Sequence, residues 1–223
     1  MSNNRNSYAN ELFLRIKEEK RNRIISTAVR EFAMNGFSRA NVNKIAEGAE
    51  ISVGALYKYF TTKDDLFMYV VESCVDYLDD YVNEIFRSDI RFFSKIERLL
   101  RLAMEVSLDK PDIIKLYNTF MSENDAARTR VIADKIEGVT VKYYREIITD
   151  AQANGEIRED IDPEILSFLL DNQIVMMQFS YACTYYKRRH ELFLGDSIAN
   201  DAEYLMRSIM QAIESMFGAK SKV

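Results

Sequence analysis

Apolar positions fall at helical spacing through almost the whole chain. Val42, Ile45, Ala46 and Ala49 recur at i, i+3, i+4 and i+7, one face of a short helix. Asn41 stands just before it, where a side-chain oxygen accepts from a first-turn N–H. A turn over Glu50–Val53 leads into a second short helix, Gly54–Phe60, with Ser52 as cap and Leu56 and Phe60 as its apolar side. Upstream, Glu18–Asn35 reads as a helix with Ile25, Ala28, Val29, Phe32 and Ala33 on one face. Gly36 ends it and Phe37 folds back. The predicted bundle has a core of Phe32, Phe37, Val42, Ile45, Leu56 and Phe60. Residues 1–17 form a polar arm, expected to be disordered.

Thr62 begins the next element: its oxygen is placed to reach the N–H of Asp65, and Asp64 and Asp65 suit the positive end of the dipole. Apolar spacing then continues to about Phe86, so residues 63–86 form one connecting helix. Five more helices follow, over about 90–108, 111–122, 125–153, 163–193 and 198–217. Pro111 and Pro163 sit at first turns, and Asn154-Gly155 and Gly195 act as stops. With 7 Gly, 2 Pro and no alternating apolar–polar run, the fold class is all-α, about nine helices. The division expected is residues 1–65 as a helix-turn-helix domain and 66–223 as a second helical domain.

The outer side of the Gly54–Phe60 helix carries Val53, Gly54, Ala55, Tyr57, Lys58 and Tyr59: small groups, then hydroxyls and a cation. Such a face suits approach to a DNA backbone and major groove. The pattern V-x-x-I-A-x-x-A-x-I-S-x-G-x-L-Y-x-Y-F-x-x-K-x-x-L resembles the DNA-binding region of the TetR family of bacterial transcription regulators. It departs from that family's pattern at Asn41, where Thr is usual, and at Glu50, where Gly is usual. At a positive φ, Glu50 would cost roughly a kcal/mol by backbone sterics, and it brings a negative charge near DNA. Tyr57, Tyr59 and Lys63 are expected to hold phosphates, Lys63 by resemblance. Asn41, Lys44, Ser52, Val53, Ala55 and Lys58 are candidates for base or further backbone contacts.

Charge follows this division. Residues 1–65 hold 11 Lys/Arg against 8 Asp/Glu, and residues 66–223 hold 19 against 27. A basic first third on an acidic remainder fits a DNA reader joined to a module that does not touch DNA. The N-terminus does not read as a signal peptide, and no apolar run approaches the roughly eighteen residues of a membrane span. Cys74 and Cys183 read as buried thiols of a cytoplasmic protein. The single histidine, His190, lies in the charged run 187–191, and no metal, phosphate-loop or nucleophile motif is present. No catalytic or metal residue is assigned, no cofactor is implied, and the chain is not read as an enzyme.

The second module offers Phe92, Met104, Tyr117, Phe120, Met121, Tyr143, Tyr144, Gln173, Met177 and Tyr181 as candidate ligand contacts. Aromatic and Met side chains at this spacing are first of all core material. The resemblance adds the expectation of a small effector, apolar or aromatic. Asn172, Gln173 and Gln178 lie in an apolar run and could face a ligand, a partner subunit or solvent. The last two helices carry excess apolar surface: Leu166, Leu169, Leu170, Ile174 and Met177, then Leu205, Ile209, Ile213, Met216 and Phe217. In the resembled family such helices form the dimer interface. One short reading helix makes few base contacts, which also favours a homodimer. The resemblance thus implies a homodimeric repressor of a palindromic double-stranded operator, released by an effector. The alternatives are a DNA-bound factor acting through another protein, and a helical scaffold without DNA binding.

Overall fold

A computed structural model describes residues 8–121 and 125–219, with the side chain of Val139 excepted. Among these residues the helices are α1 (Glu11–Arg15), α2 (Glu18–Arg39), α3 (Val42–Gly48), α4 (Val53–Tyr59), α5 (Lys63–Arg87), α6 (Phe92–Asp109), α7 (Pro111–Phe120), α8 (Ala126–Ala153), α9 (Pro163–Ala182), α10 (Thr184–Ala199) and α11 (Ala202–Phe217). The described residues contain no strand, only an isolated bridge between Ile157 and Gly218. The fold is all-α, as expected. The two helices beyond the expected nine are α1 and a division of the penultimate helix at Cys183.

α1 corrects the expectation of a disordered arm from residue 8 onward; residues 1–7 lie outside the described part. Phe13 is fully buried, with its ring centre 4.6 Å from Phe60, 5.2 Å from Tyr69 and 5.6 Å from Tyr59. Asn10 donates from its backbone to Tyr59 O (2.9 Å) and from its side chain to Lys58 O (2.8 Å). The segment that opens α1 is thereby tied to the last carbonyls of α4, which have no partner within their own helix.

The chain divides into two compact units, Met1–Leu78 with Lys115–Lys135, and Asp79–Ile114 with Ile136–Val223. In the first, Ile24, Ala28, Val29 and Phe32 of α2 are buried, as are Ile45, Ala46, Leu56 and Phe60, with α2 against α3 and α3 against α4. Ile24 replaces Ile25 as the inward residue expected of α2, and Phe37 and Val42 are half-buried. Gly36 has φ 67°, which glycine adopts without strain, and Phe37 turns back toward Phe32 and Phe67 as expected. Residues Leu66–Val71 of α5 are all buried, the signature of a helix enclosed on every side. Phe120 meets Phe67 edge-on at 5.3 Å, and Lys135 pairs with the buried Glu72 carboxylate. Burial works against the Lys135 charge, but Glu72 outweighs it and holds the amine above its ordinary pKa.

In the second unit, α6 lies along α9. Its core runs through Phe86, Ile96, Leu100, Ile148, Leu170 and Phe217. Glu156 accepts from Phe92 N (3.0 Å) and so caps α6, while Gln152 donates to Arg158 O and Ile161 O. Asp162 caps α9 through Glu164 N (2.9 Å) with Pro163 in the first turn, as read from sequence. α9 stops at Cys183, an extended residue with neither Gly nor Pro beside it. The bend accompanies contacts of Phe179 with Tyr186 (5.1 Å) and Tyr181 with His190 (6.1 Å). The last helix begins at Ala202 rather than near Ile198, because Asp201 caps it through Tyr204 N.

Most apolar residues singled out for a dimer face belong to this unit's own core: Leu166, Leu170, Ile174, Met177, Leu205, Ile213 and Phe217 are buried. Of those singled out, Leu169 and Met216 are exposed and Ile209 is half-buried; Ile165 and Phe168 on α9 and Tyr204 on α11 are exposed besides.

Candidate nucleic-acid interface

The α3–turn–α4 element is held by short-range bonds. Asn41 Oδ1 accepts from Asn43 N at 2.9 Å and Ser52 Oγ from Ala55 N at 3.1 Å, so both expected caps are made. The turn closes with Glu50 N to Glu47 O (2.9 Å) and Ile51 N to Ala46 O (3.0 Å). Glu50 is the one non-glycine with positive φ among the described residues, at 55°. Arg23 of α2 spans this strained corner: its Nε donates to Ala49 O (3.0 Å) and its Nη1 pairs with Glu50 at 3.2 Å. The ion pair is solvent-exposed, so it offsets only part of the backbone cost. Glu50→Gly is expected to stabilise the fold by about 0.5–1 kcal/mol, read as a higher urea midpoint. A lower midpoint would mean that the Arg23 pair outweighs the strain.

Asn41, Lys44, Ser52, Gly54, Tyr57 and Lys58 are exposed, and Val53, Ala55 and Lys63 are half-buried. A Cβ built on Gly54 would meet only Ser52 Oγ, at 4.0 Å, so packing within the chain does not require glycine there. Gly48 differs, since a Cβ would come within 2.8 Å of Thr27 and α2 lies close. Tyr59 departs from expectation: its ring is buried against Phe13, with Lys20 over it at 5.7 Å.

The start of α5 is fixed by a reciprocal cap. Asp65 N donates to Thr62 Oγ1 (3.0 Å), and Thr62 N donates to Asp65 Oδ2 (2.9 Å). Lys63 in that first turn reaches Ser38 O at 3.3 Å, with its amine 4.9 Å from the Phe37 ring centre. Sequence reasoning missed Asn10 and Arg23. The available signal for Asn10 was a cap-type residue two positions before the apolar triplet Leu12–Leu14.

The ligand candidates fall in both units. Tyr117 (half-buried), Phe120 (buried) and Met121 (exposed) belong to the first, and the other seven to the second. Phe92, Tyr144 and Met177 are core residues. Tyr143 stacks on Phe86 at 5.1 Å and donates its hydroxyl to Asn83 Oδ1 at 3.0 Å. Met104 is half-buried and Gln173 exposed. Tyr181 is half-buried, and burial pushes its phenol up. Burial lowers the His190 pKa, with Glu191 acting in the opposite direction. A cavity of about 530 Å³ lies in the first unit against Ala33–Arg39, Thr119, Asp125 and Arg128, and none of the ten candidates lines it. Among the described residues no group of three His, Cys, Asp or Glu is placed to hold a metal ion, and no helix is long and apolar enough to cross a membrane.

Residues 24–70, covering α2 to the first turns of α5, match the family described as bacterial regulatory proteins, tetR family. The chain is 26% identical over 212 residues to the HTH-type transcriptional regulator HbdR of Aromatoleum sp. (strain CIB), spanning 93% of this chain and 85% of that one. It is 24% identical over 163 residues to the nucleoid occlusion factor SlmA of Aliivibrio fischeri (strain MJ11), spanning 71% and 81% of the two chains. Its fold matches the transcriptional regulator FadR from Bacillus subtilis, solved with stearoyl-CoA, at a TM-score of 0.66 and 17% identity over 90% of this chain and 97% of that one. The matched function and fold are those of DNA-binding transcriptional regulators rather than enzymes. Residues 24–70 thus carry the DNA-binding module of the tetR family of bacterial regulatory proteins, and the chain is similar over most of its length to HTH-type transcriptional regulators.

Proposed function

We propose that the chain acts as a homodimeric repressor in the cytoplasm, binding a near-palindromic operator and leaving it when a small apolar or aromatic effector binds. The observation that carries this reading is the open outer face of α3 and α4, where Gly54 is small without a packing reason and Lys44, Tyr57 and Lys58 stand exposed. In a two-fold dimer the two α4 helices would enter successive major grooves about 34–36 Å apart. Tyr57 and Lys63 would hold phosphates, with Tyr59 reaching them only through its hydroxyl. Asn41, Lys44, Ser52, Val53, Ala55 and Lys58 would meet bases or further backbone. The exposed apolar residues of α9 and α11 support pairing through those helices, where a monomer would leave Phe168 67% exposed.

An effector shifts the balance only if it binds the DNA-free form more tightly than the DNA-bound form. The stearoyl-CoA in the FadR structure supports a ligand with a long apolar part. The similarity to SlmA favours a second reading, a DNA-bound protein whose output is contact with another protein. That reading requires no effector.

Titration of duplex DNA at several salt concentrations tests the phosphate set. Lys63→Ala should weaken binding to all sequences and flatten the slope of log affinity against log salt by about one. An unchanged slope would remove Lys63 from the phosphate contacts.

A further inference from the structure

Arg128 lies in the first turn of α8, far outside the residues 24–70 that carry the helix-turn-helix match. Its guanidinium nevertheless packs 3.8 Å from the centre of the Phe37 ring. Its Nε and Nη2 both reach Asp64 Oδ1 at 3.1 Å, and Nη2 lies 3.4 Å from Asp125. The side chain is only 17% exposed. Asp125 in turn accepts from the backbone N–H groups of Ala127 and Arg128, which fixes the start of α8 under this guanidinium. Nearby, Thr119 Oγ1 donates to Ala33 O at 3.4 Å, and Phe120 packs on Phe67. The end of α7 and the first turn of α8 therefore grip the turn after α2 and the first turn of α5 together.

Both ends of that grip bear on Lys63. Asp64 is its chain neighbour, and Phe37 lies under its amine. A planar guanidinium that stacks on a ring while donating two bonds to one carboxylate fixes orientation as well as position, which an ammonium does not. Asp64 would otherwise present an unpaired negative charge beside the phosphates that Lys63 is proposed to meet. We propose that Arg128 is a positioning residue for DNA binding: by holding Asp64 and Phe37 it sets where Lys63 and the start of α5 meet the DNA backbone. The inference rests on the phosphate role proposed for Lys63 and adds a residue that does not itself touch DNA.

The test is a double-mutant cycle on the full-length chain, using a fluorescently labelled random-sequence duplex pool and its enriched fraction. Arg128→Ala should weaken binding of the enriched fraction by about tenfold or more, at a temperature where circular dichroism shows the variant folded. Its salt slope should flatten toward that of Lys63→Ala, because a misplaced Lys63 loses its phosphate contact. In a Lys63→Ala background, Arg128→Ala should add little, since its effect passes through Lys63. Arg128→Met, which keeps volume over Phe37 without the fork, is measured in parallel and decides the matter if the alanine variant does not fold. Wild-type affinity in the folded variants, full additivity with Lys63→Ala, or a salt slope left at the wild-type value would overturn the inference. If Lys63→Ala itself leaves the slope and affinity unchanged, the phosphate reading of Lys63 fails and this inference fails with it.

Discussion

Replacing Phe13 by alanine is expected to destabilise the first unit by about 3–5 kcal/mol, the range for truncating a buried aromatic. The ring is fully buried and touches Tyr59, Phe60 and Tyr69, so removal leaves a cavity that several rigid rings cannot readily fill. The loss should also reach DNA binding. Asn10, three residues earlier, holds Lys58 O and Tyr59 O at the end of the reading helix. Urea denaturation followed by circular dichroism measures the first effect. A change below about 1 kcal/mol would mean that the segment lies loosely on the surface, as an arm of that composition would.

Asp171→Asn should have the opposite sign. Burial, helped by the negative field of Glu137, pushes the Asp171 carboxyl up from 3.8 to about 6. A carboxyl whose folded pKa is raised stabilises the fold fully below its unfolded pKa, near pH 4, and that contribution is lost as pH rises through 6. At neutral pH the cost of the buried charge amounts to about 3 kcal/mol at most. Wild-type stability should therefore fall between pH 4 and 7 through this group. The asparagine variant should be more stable than wild type at pH 7, with the two curves converging near pH 4. Urea midpoints at fixed protein concentration across that range decide it. A variant less stable than wild type at pH 7 would show that Asp171 has a favourable partner in its charged form.

Features whose partners lie within four residues were legible in the sequence. Asn41, Ser52, Thr62 and Asp162 all make the caps that spacing suggested, because each acceptor sits two or three residues from its donor. Glu50 was legible as a departure, and its positive φ follows from a turn geometry that usually takes glycine. What remained hidden depends on distant parts of the chain. Phe13 looks like part of a polar arm until Tyr69, 56 residues on, is placed against it. Leu166 and Phe168 are equally apolar in sequence, yet one enters the core and the other faces outward; the helix phase is set by contact with α6. The break at Cys183 has no Gly or Pro to announce it. Among the ligand candidates, periodicity identified apolar helix faces, but it could not tell Phe92 and Met177, which complete the core, from residues left free to meet a ligand.

The proposed function requires that this chain read DNA sequence as a dimer through α4. Selection of bound duplexes from a random pool at moderate salt, followed by sequencing, tests it most directly. Dimeric reading should yield an enriched inverted repeat with half-site centres about one helical turn apart, 10–10.5 base pairs or a multiple. Recovery of no motif, with binding that simply fades as salt rises, would leave only non-specific phosphate contact and rule out dimeric operator reading.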